Sequence, residues 1–187
     1  MSSQDSSSDS SVENQTINNG NSDSNNKPSD AEQQQAEKLK EQANEFFKQG
    51  AYEKAIAEYT AAINIAPSHI YYSNRSLAYL RTECYGAALE DATLSIQAAA
   101  PTHYTKAYYR RASANMALGK FKMALADFET VVKVTKSRDK DALNKLSECR
   151  KIVQRQQFEK AIHVSDDDDE GKKGDGSGSG ASSSSDT

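Results

Sequence analysis

The sequence predicts an all-α protein, built from three helix pairs stacked in order and closed by a capping helix. Three segments of the chain resemble one another at a period typical of helical repeats, and each carries small residues at matched positions with a turn signal between its halves. All nine Tyr and all five Phe lie between Phe46 and Phe158. The residues able to form a core are therefore confined to the middle of the chain.

The repeats are recognised from their alanines. Ala55, Ala88 and Ala124 occupy the same place in three units, separated by 33 and then 36 residues. An aromatic residue precedes each alanine by three positions, namely Tyr52, Tyr85 and Phe121. A period of this length predicts two helices of roughly 13 residues in each unit, with small residues where paired helices approach closely. The predicted units span about 36–68, 69–104 and 105–138.

Turn and capping signals set the limits of these helices. Gly50 and Gly119 mark the turn inside the first and third units, and Pro67 closes the first pair. Ser29 with Glu32, just after a proline, matches the capping box that starts a helix. One helix pair cannot bury its own apolar face, so a stack of three needs a cover. The amphipathic segment 139–162 is predicted to supply it as a capping helix.

Composition divides the chain into a repeat domain over 31–162 and two tails, 1–30 and 163–187, predicted to be disordered. The first tail is rich in Ser, Asn, Asp and Gln, and the second combines an acidic run with a Gly/Ser segment. The net charge of −4 hides an uneven distribution, because residues 36–162 hold twenty basic and fourteen acidic residues, a net charge of +6. Such a domain favours anionic partners.

Several classes of protein are excluded by the same composition. The chain has no apolar run of about 18 residues and no secretory signal at its start, which predicts a soluble protein without membrane contact. Cys84 and Cys149 have no metal spacing, and two cysteines make no disulfide framework, so we expect a reducing compartment, the cytoplasm and also the nucleus. The three histidines, His69, His103 and His163, are scattered and predict surface or capping roles rather than a metal site.

Polar residues recur on the first helix of each predicted unit, which lines the concave groove of a helical stack. Lys106 and Arg110 are four residues apart and share one face, and we expect both to be exposed on the groove wall. Lys40 and Asn44 repeat this spacing in the first unit, and Asn74 lies at the place equivalent to Arg110 in the second. These side chains should converge on one groove. Each of two further arginines, Arg75 and Arg111, is expected to be a solvated or ion-paired surface residue.

This periodicity resembles the tetratricopeptide repeat family over about Ala36 to Ile162, which implies a right-handed superhelix of helix pairs. The segments SLAYLRTECYG, MALGKF and ETVVKV further resemble the N-terminal regulatory domain of the protein serine/threonine phosphatase 5 family. Nothing in the sequence matches the Gly-Asp-His and Gly-Asn-His-Glu motifs of that family's two-metal catalytic domain. We therefore expect that this chain is not an enzyme and needs no metal or other cofactor.

In the tetratricopeptide family a set of groove residues called the carboxylate clamp binds the C-terminal Glu-Glu-Val-Asp tail of heat-shock proteins 90 and 70. The residues matching this set, with a further groove arginine of the phosphatase family, are Lys40, Asn44, Asn74, Arg81, Lys106 and Arg110. The resemblance implies that the first two hold the terminal carboxylate together with Asn74. It implies that Lys106 and Arg110 hold the last side chain and the peptide backbone.

Three functions of different class follow from these observations. The first is a monomeric adaptor that binds the C-terminal tail of heat-shock protein 90 or 70. The second is the autoinhibitory and targeting part of a serine/threonine protein phosphatase, whose catalytic domain would be within the same protein or separate. The third is a general helical scaffold for an internal acidic peptide or RNA, although the aromatic residues predict core packing more than base stacking.

Overall fold

The computed structural model describes residues 27–100, 102 and 104–167, with side chains described as far as Ile162. Within these residues the chain forms seven helices and no strand, as the sequence predicts. They are α1 (Asp30–Lys48), α2 (Tyr52–Ile65), α3 (His69–Arg81), α4 (Tyr85–Ala98), α5 (Thr105–Ala117), α6 (Phe121–Val134) and α7 (Lys140–Asp167). Most of both predicted tails, and His103, lie outside the described residues.

The predicted capping box at the start of α1 is confirmed. The Ser29 hydroxyl accepts a hydrogen bond from the Glu32 backbone N–H at 3.3 Å, and the Glu32 carboxylate accepts one from the Ser29 N–H at 2.7 Å. Two backbone donors that have no partner within the helix are thereby satisfied. The first helix of the stack therefore starts at a fixed residue, which sets the positions of Lys40 and Asn44 further along α1.

The turns within the three units share one backbone conformation but not one residue type. Gly50 and Gly119 have φ values of 76° and 70°, in the left-handed region where glycine carries no steric cost. The second unit places Glu83 at the equivalent position, with φ 59°. The repeat geometry thus imposes the left-handed turn even where the sequence offers no glycine to signal it.

Alanines bring the two helices of each unit together. Ala55, Ala88 and Ala124 are all 0% exposed, which confirms their predicted place at the contact between paired helices. Each unit packs chiefly against the next along the chain, and the first helices of successive units also meet, as α3 does with α5. The core accordingly consists of successive clusters along the stack rather than one centre.

Two arginines expected at the surface are half-buried and form ion pairs. Arg75 donates to both carboxylate oxygens of Asp91, at 2.7 and 2.8 Å, and Arg111 bonds Asp127 in the same way at 2.9 and 2.7 Å. The carboxylate side chains are only 5% and 8% exposed. Of the two states expected for these arginines, solvated or ion-paired, the structure shows the second, with 15% of the Arg75 and 27% of the Arg111 side chain still exposed. Their helix face points at the second helix of the same unit.

The capping helix α7 covers the third unit, with Ala142, Leu146, Cys149 and Val153 buried along one face. The Cys149 thiol donates to the Phe121 carbonyl oxygen at 3.1 Å, and burial raises the pKa of this thiol. The helix continues through Asp167, beyond its predicted end at residue 162. No helix in the described part of the chain has an apolar stretch long enough to span a bilayer.

The left-handed turns generate a stability prediction. Replacing Glu83 by Gly should raise the free energy of unfolding by about 0.5 to 1 kcal/mol, because glycine adopts this φ without the clash of a Cβ atom. Gly50→Ala should lower it by about 1 kcal/mol, and since a Cβ at that position meets nothing within 4 Å, the loss would come from the backbone alone. Urea denaturation followed by circular dichroism measures both changes. A Glu83→Gly variant less stable than the parent would contradict this account.

Candidate functional site

A groove with a volume of about 620 Å³ lies between α3, α5 and the start of α7. Three predicted site residues, Arg81, Lys106 and Arg110, line it together with apolar side chains such as Leu77 and Leu80. The predicted convergence of cations from the second and third units is therefore present. Because apolar walls surround these charges, an anionic ligand would meet them in partly desolvated surroundings.

Arg110 holds the central position among these cations. Its guanidinium donates to the Ser73 hydroxyl and, at 3.5 Å, to the Asn74 side-chain oxygen. The side chain is partly buried, so the expectation of an exposed Arg110 is wrong, and burial lowers the pKa of its guanidinium. Among the described residues no carboxylate forms an ion pair with Arg110. The groove thus holds a desolvated positive charge that only neutral groups contact.

The other two groove cations are exposed, as expected for Lys106. No described acid lies within ion-pairing distance of Lys106 or Arg81. Both lie beside Arg110 in the same groove. Like charges placed together cost free energy in the unliganded protein, and an anion bound between them would offset that cost.

Asn44 on α1 is held in one orientation by a buried tyrosine. The Tyr59 hydroxyl donates to the Asn44 side-chain oxygen at 2.6 Å, and the tyrosine is 2% exposed. Burial raises the pKa of Tyr59 to about 12, an effect that the nearby charge of Arg110 opposes. Because the amide oxygens of Asn44 and Asn74 both accept bonds from protein donors, their NH2 groups are left to donate to a ligand.

Lys40 differs from the other predicted cations because it has an anionic partner. It forms an ion pair with Glu37, whose carboxylate also accepts a hydrogen bond from the Tyr71 hydroxyl at 3.2 Å. The bond from Lys40 and its charge lower the pKa of Glu37 against the effect of burial. Lys40 and Asn44 line a separate concavity on α1, so the structure does not place them in the groove cavity of Lys106. Asn44 is linked to that groove through Tyr59 and Arg110.

Three residues of the site were not predicted, namely Glu37, Tyr59 and Ser73. Tyr59 lies at the place where the third unit has the buried Phe128. A hydroxyl at a position that is apolar in a sister repeat is a sequence signal that could have identified it. Ser73 is fully buried and directly precedes Asn74, but a buried serine on a helix is common. Glu37 lies on an exposed part of α1 that carries both acidic and basic residues. Nothing distinguishes these two in the sequence.

A metal ion could bind in the described part of the chain only if a suitable set of side chains were grouped there. No group of three or more His, Cys, Asp or Glu side chains that could hold an ion occurs there. His69 begins α3 and its ring contacts Tyr104 edge to face, with centroids 4.9 Å apart. The groove brings together three cations, Arg81, Lys106 and Arg110, which suit recognition of an anion.

The helix pairs and their groove define the class of protein. The tetratricopeptide repeat model matches residues 34–69 and 105–138, which correspond to the first and third helix pairs. The chain is also similar to the second TPR domain of the human RPAP3 protein, whose structure was solved in complex with the HSP70 peptide SGPTIEEVD. The two are 37% identical, and the match covers 64% of this chain and 98% of that one with a TM-score of 0.59. This chain belongs to the tetratricopeptide repeat family.

Two further comparisons give its particular relatives. Over 128 residues, 68% of this chain, it is 61% identical to the N-terminal region of human Serine/threonine-protein phosphatase 5. The match covers 25% of the length of that phosphatase. It is 34% identical to the first TPR of Spaghetti (RPAP3) bound to the HSP90 peptide SRMEEVD, with a TM-score of 0.62 over 65% of this chain and 94% of that one.

The unpaired charge of Arg110 generates a prediction that distinguishes a binding residue from a structural one. Arg110→Met should raise the free energy of unfolding of the ligand-free protein by about 0.5 to 1 kcal/mol, because it removes a desolvated charge that has no counterion. Arg75→Met should instead lower it by about 3 kcal/mol, because it leaves Asp91 buried without its partner. Chemical denaturation measures both. Equal losses of stability in the two variants would show that Arg110 is a structural residue.

Proposed function

We propose that this chain is a protein-protein interaction module that binds the acidic C-terminal tail, ending in Glu-Glu-Val-Asp, of heat-shock protein 90 or 70. The observation that carries the proposal is the desolvated guanidinium of Arg110, which has no carboxylate partner among the described residues. It lines a groove of about 620 Å³ together with two exposed cations, Lys106 and Arg81. The similar RPAP3 domains bound to SRMEEVD and SGPTIEEVD support the choice of ligand.

The chemistry of the groove suits the end of a peptide better than its middle. A C-terminal aspartate carries two carboxylates, which together accept several charge-assisted hydrogen bonds, each about twice as strong as a neutral one. Arg110 and Lys106 would bind one carboxylate, and the oriented NH2 groups of Asn44 and Asn74 would donate to the other. Lys40 would join them by exchanging its bond to Glu37 for one to the ligand. An aspartate inside a peptide has its side-chain carboxylate but no main-chain carboxylate beside it.

Cellular location is part of the proposal. We place the interaction in a reducing compartment, the cytoplasm and also the nucleus, because both Cys84 and Cys149 are free thiols. The chaperone tails that the proposal names would be met there.

A free-acid peptide tests the proposal directly. The wild-type chain should bind a fluorescent peptide ending in Glu-Glu-Val-Asp, and Lys106→Glu should weaken binding at least about tenfold, because it replaces an attractive charge with a repulsive one. Lys122→Glu is the matched control, because this substitution makes the same change in net charge. Lys122 is exposed on α6 and lies outside the groove. Fluorescence anisotropy titrations give the affinities.

The same titration with a C-terminally amidated peptide separates end recognition from general attraction to acids. Amidation should weaken binding at least about tenfold, because it removes one charged acceptor. Equal affinity for the acid and the amide would favour the scaffold reading, in which an internal acidic segment binds. Equal effects of Lys106→Glu and Lys122→Glu would show that binding follows net charge alone.

A second function is favoured by the 61% identity to a region of phosphatase 5 over 128 residues. We propose that the chain is itself non-catalytic and acts as the regulatory part of such a phosphatase, with the catalytic domain in the same protein or in a partner. The match to the tetratricopeptide repeat and the identity to the N-terminal region of the phosphatase support the non-catalytic part of the proposal.

The regulatory function predicts an effect in trans. An excess of the purified chain should lower the rate at which the isolated catalytic domain of human phosphatase 5 hydrolyses a phosphopeptide, and a Glu-Glu-Val-Asp peptide should restore the rate by competing for the groove. The chain alone, with divalent metal added, is the control and should hydrolyse nothing. An unchanged rate at saturating chain would contradict the regulatory function, and turnover by the chain alone would contradict its non-catalytic character.

A further inference from the structure

The groove that holds the three cations also carries charge of the opposite sign. Asp139 and Asp141, at the start of α7, line the same cavity as Lys106 and Arg110. Apolar side chains, among them Leu77, lie along the wall of this cavity. One groove therefore presents cationic, apolar and anionic side chains to whatever lies in it.

Both carboxylates are held in place and each keeps an oxygen free. The Oδ1 atom of Asp139 accepts a hydrogen bond from the Ala142 backbone N–H at 3.0 Å, which caps α7. The Oδ2 atom of Asp141 accepts one from the Tyr109 hydroxyl, and the Tyr109 ring packs edge to face on Phe128 with centroids 5.6 Å apart. Neither acid forms an ion pair with a cation of the described residues.

The dimensions of the stack relate Asp139 and Asp141 to a position in a bound peptide. Packed helices lie about 8 to 10 Å apart, so α3 and the start of α7 are separated by about 16 to 20 Å across α5. An extended peptide advances about 3.4 Å per residue, so five residues span about 17 Å. A peptide with its terminal carboxylate at Asn74 would therefore bring its sixth residue from the end to the level of α7.

We propose that Asp139 and Asp141 form a subsite for a basic side chain about five positions before the terminal carboxylate of the ligand. This inference rests on the proposed function and specifies its ligand as a peptide that is acidic at its end and basic upstream. Charge complementarity along the groove supports it, because an all-acidic ligand would meet two like charges at α7. The peptide SRMEEVD has an arginine at this position, whereas SGPTIEEVD has no basic residue.

Two free-acid peptides that differ in one charge test the subsite. SRMEEVD should bind the wild-type chain about threefold to tenfold more tightly than SQMEEVD, as expected for a partly exposed pairing of one cation with two carboxylates. In the D139N/D141N variant this ratio should fall to about one, with the affinity for SQMEEVD changed by less than about twofold. Asparagine is as good a helix cap as aspartate, so α7 should keep its start.

The matched control is E129Q/E148Q, which removes the same charge from two acids outside the groove, each in an exposed ion pair. It should retain the wild-type ratio between the two peptides. A wild-type ratio near one, or a ratio that persists in D139N/D141N, would overturn the subsite while leaving the proposed function standing. If neither peptide binds the wild-type chain, the proposed function fails and the subsite fails with it.

Discussion

The close approach of two helices at a fully buried alanine is the contact on which the rest of this structure depends. Ala55, Ala88 and Ala124 provide it once in each unit, all at 0% exposure. A larger side chain there would separate the paired helices and tilt the first helix of the next unit. Because the predicted site residues come from α1, α3 and α5, the distances between them follow from this small-residue contact.

Adjacent arginines on one helix illustrate how the stack separates stability from binding. Arg111 points toward the paired helix and donates two hydrogen bonds to the Asp127 carboxylate. Arg110 points into the groove and donates only to neutral groups. In the second unit Arg75 pairs with Asp91 in the same way, while the neighbouring Asn74 accepts a bond from Arg110. A one-residue step, about 100° on a helix, thus divides residues that hold each unit together from residues left for a ligand.

Most of the fold could be predicted because its signals are repeated. The alanine contact occurs in all three units and the turn glycine in two, and repeated copies of a pattern outweigh the ambiguity of one. The capping box at Ser29 is a single local signal that marks where the first helix begins. The site was harder to predict from the sequence. Lys40 and Asn44 were predicted from spacing, but the bond between Lys40 and Glu37, and the orientation of Asn44 by Tyr59, depend on side-chain contacts within and between helices. The burial of Arg110 depends on how closely α3 and α5 approach, which no pattern in one helix encodes.

The division of the core into successive clusters has a consequence for how a ligand would act on the whole molecule. In a chain of units that contact only their neighbours, each end can open without the other, so local unfolding is graded along the stack. A peptide that lies across α1, α3 and α5 would add a connection between units distant in sequence. Its binding would make the opening of the first unit conditional on the opening of the third, so that hydrogen exchange in both would slow together. The ligand would then act as a missing long-range contact of the fold itself.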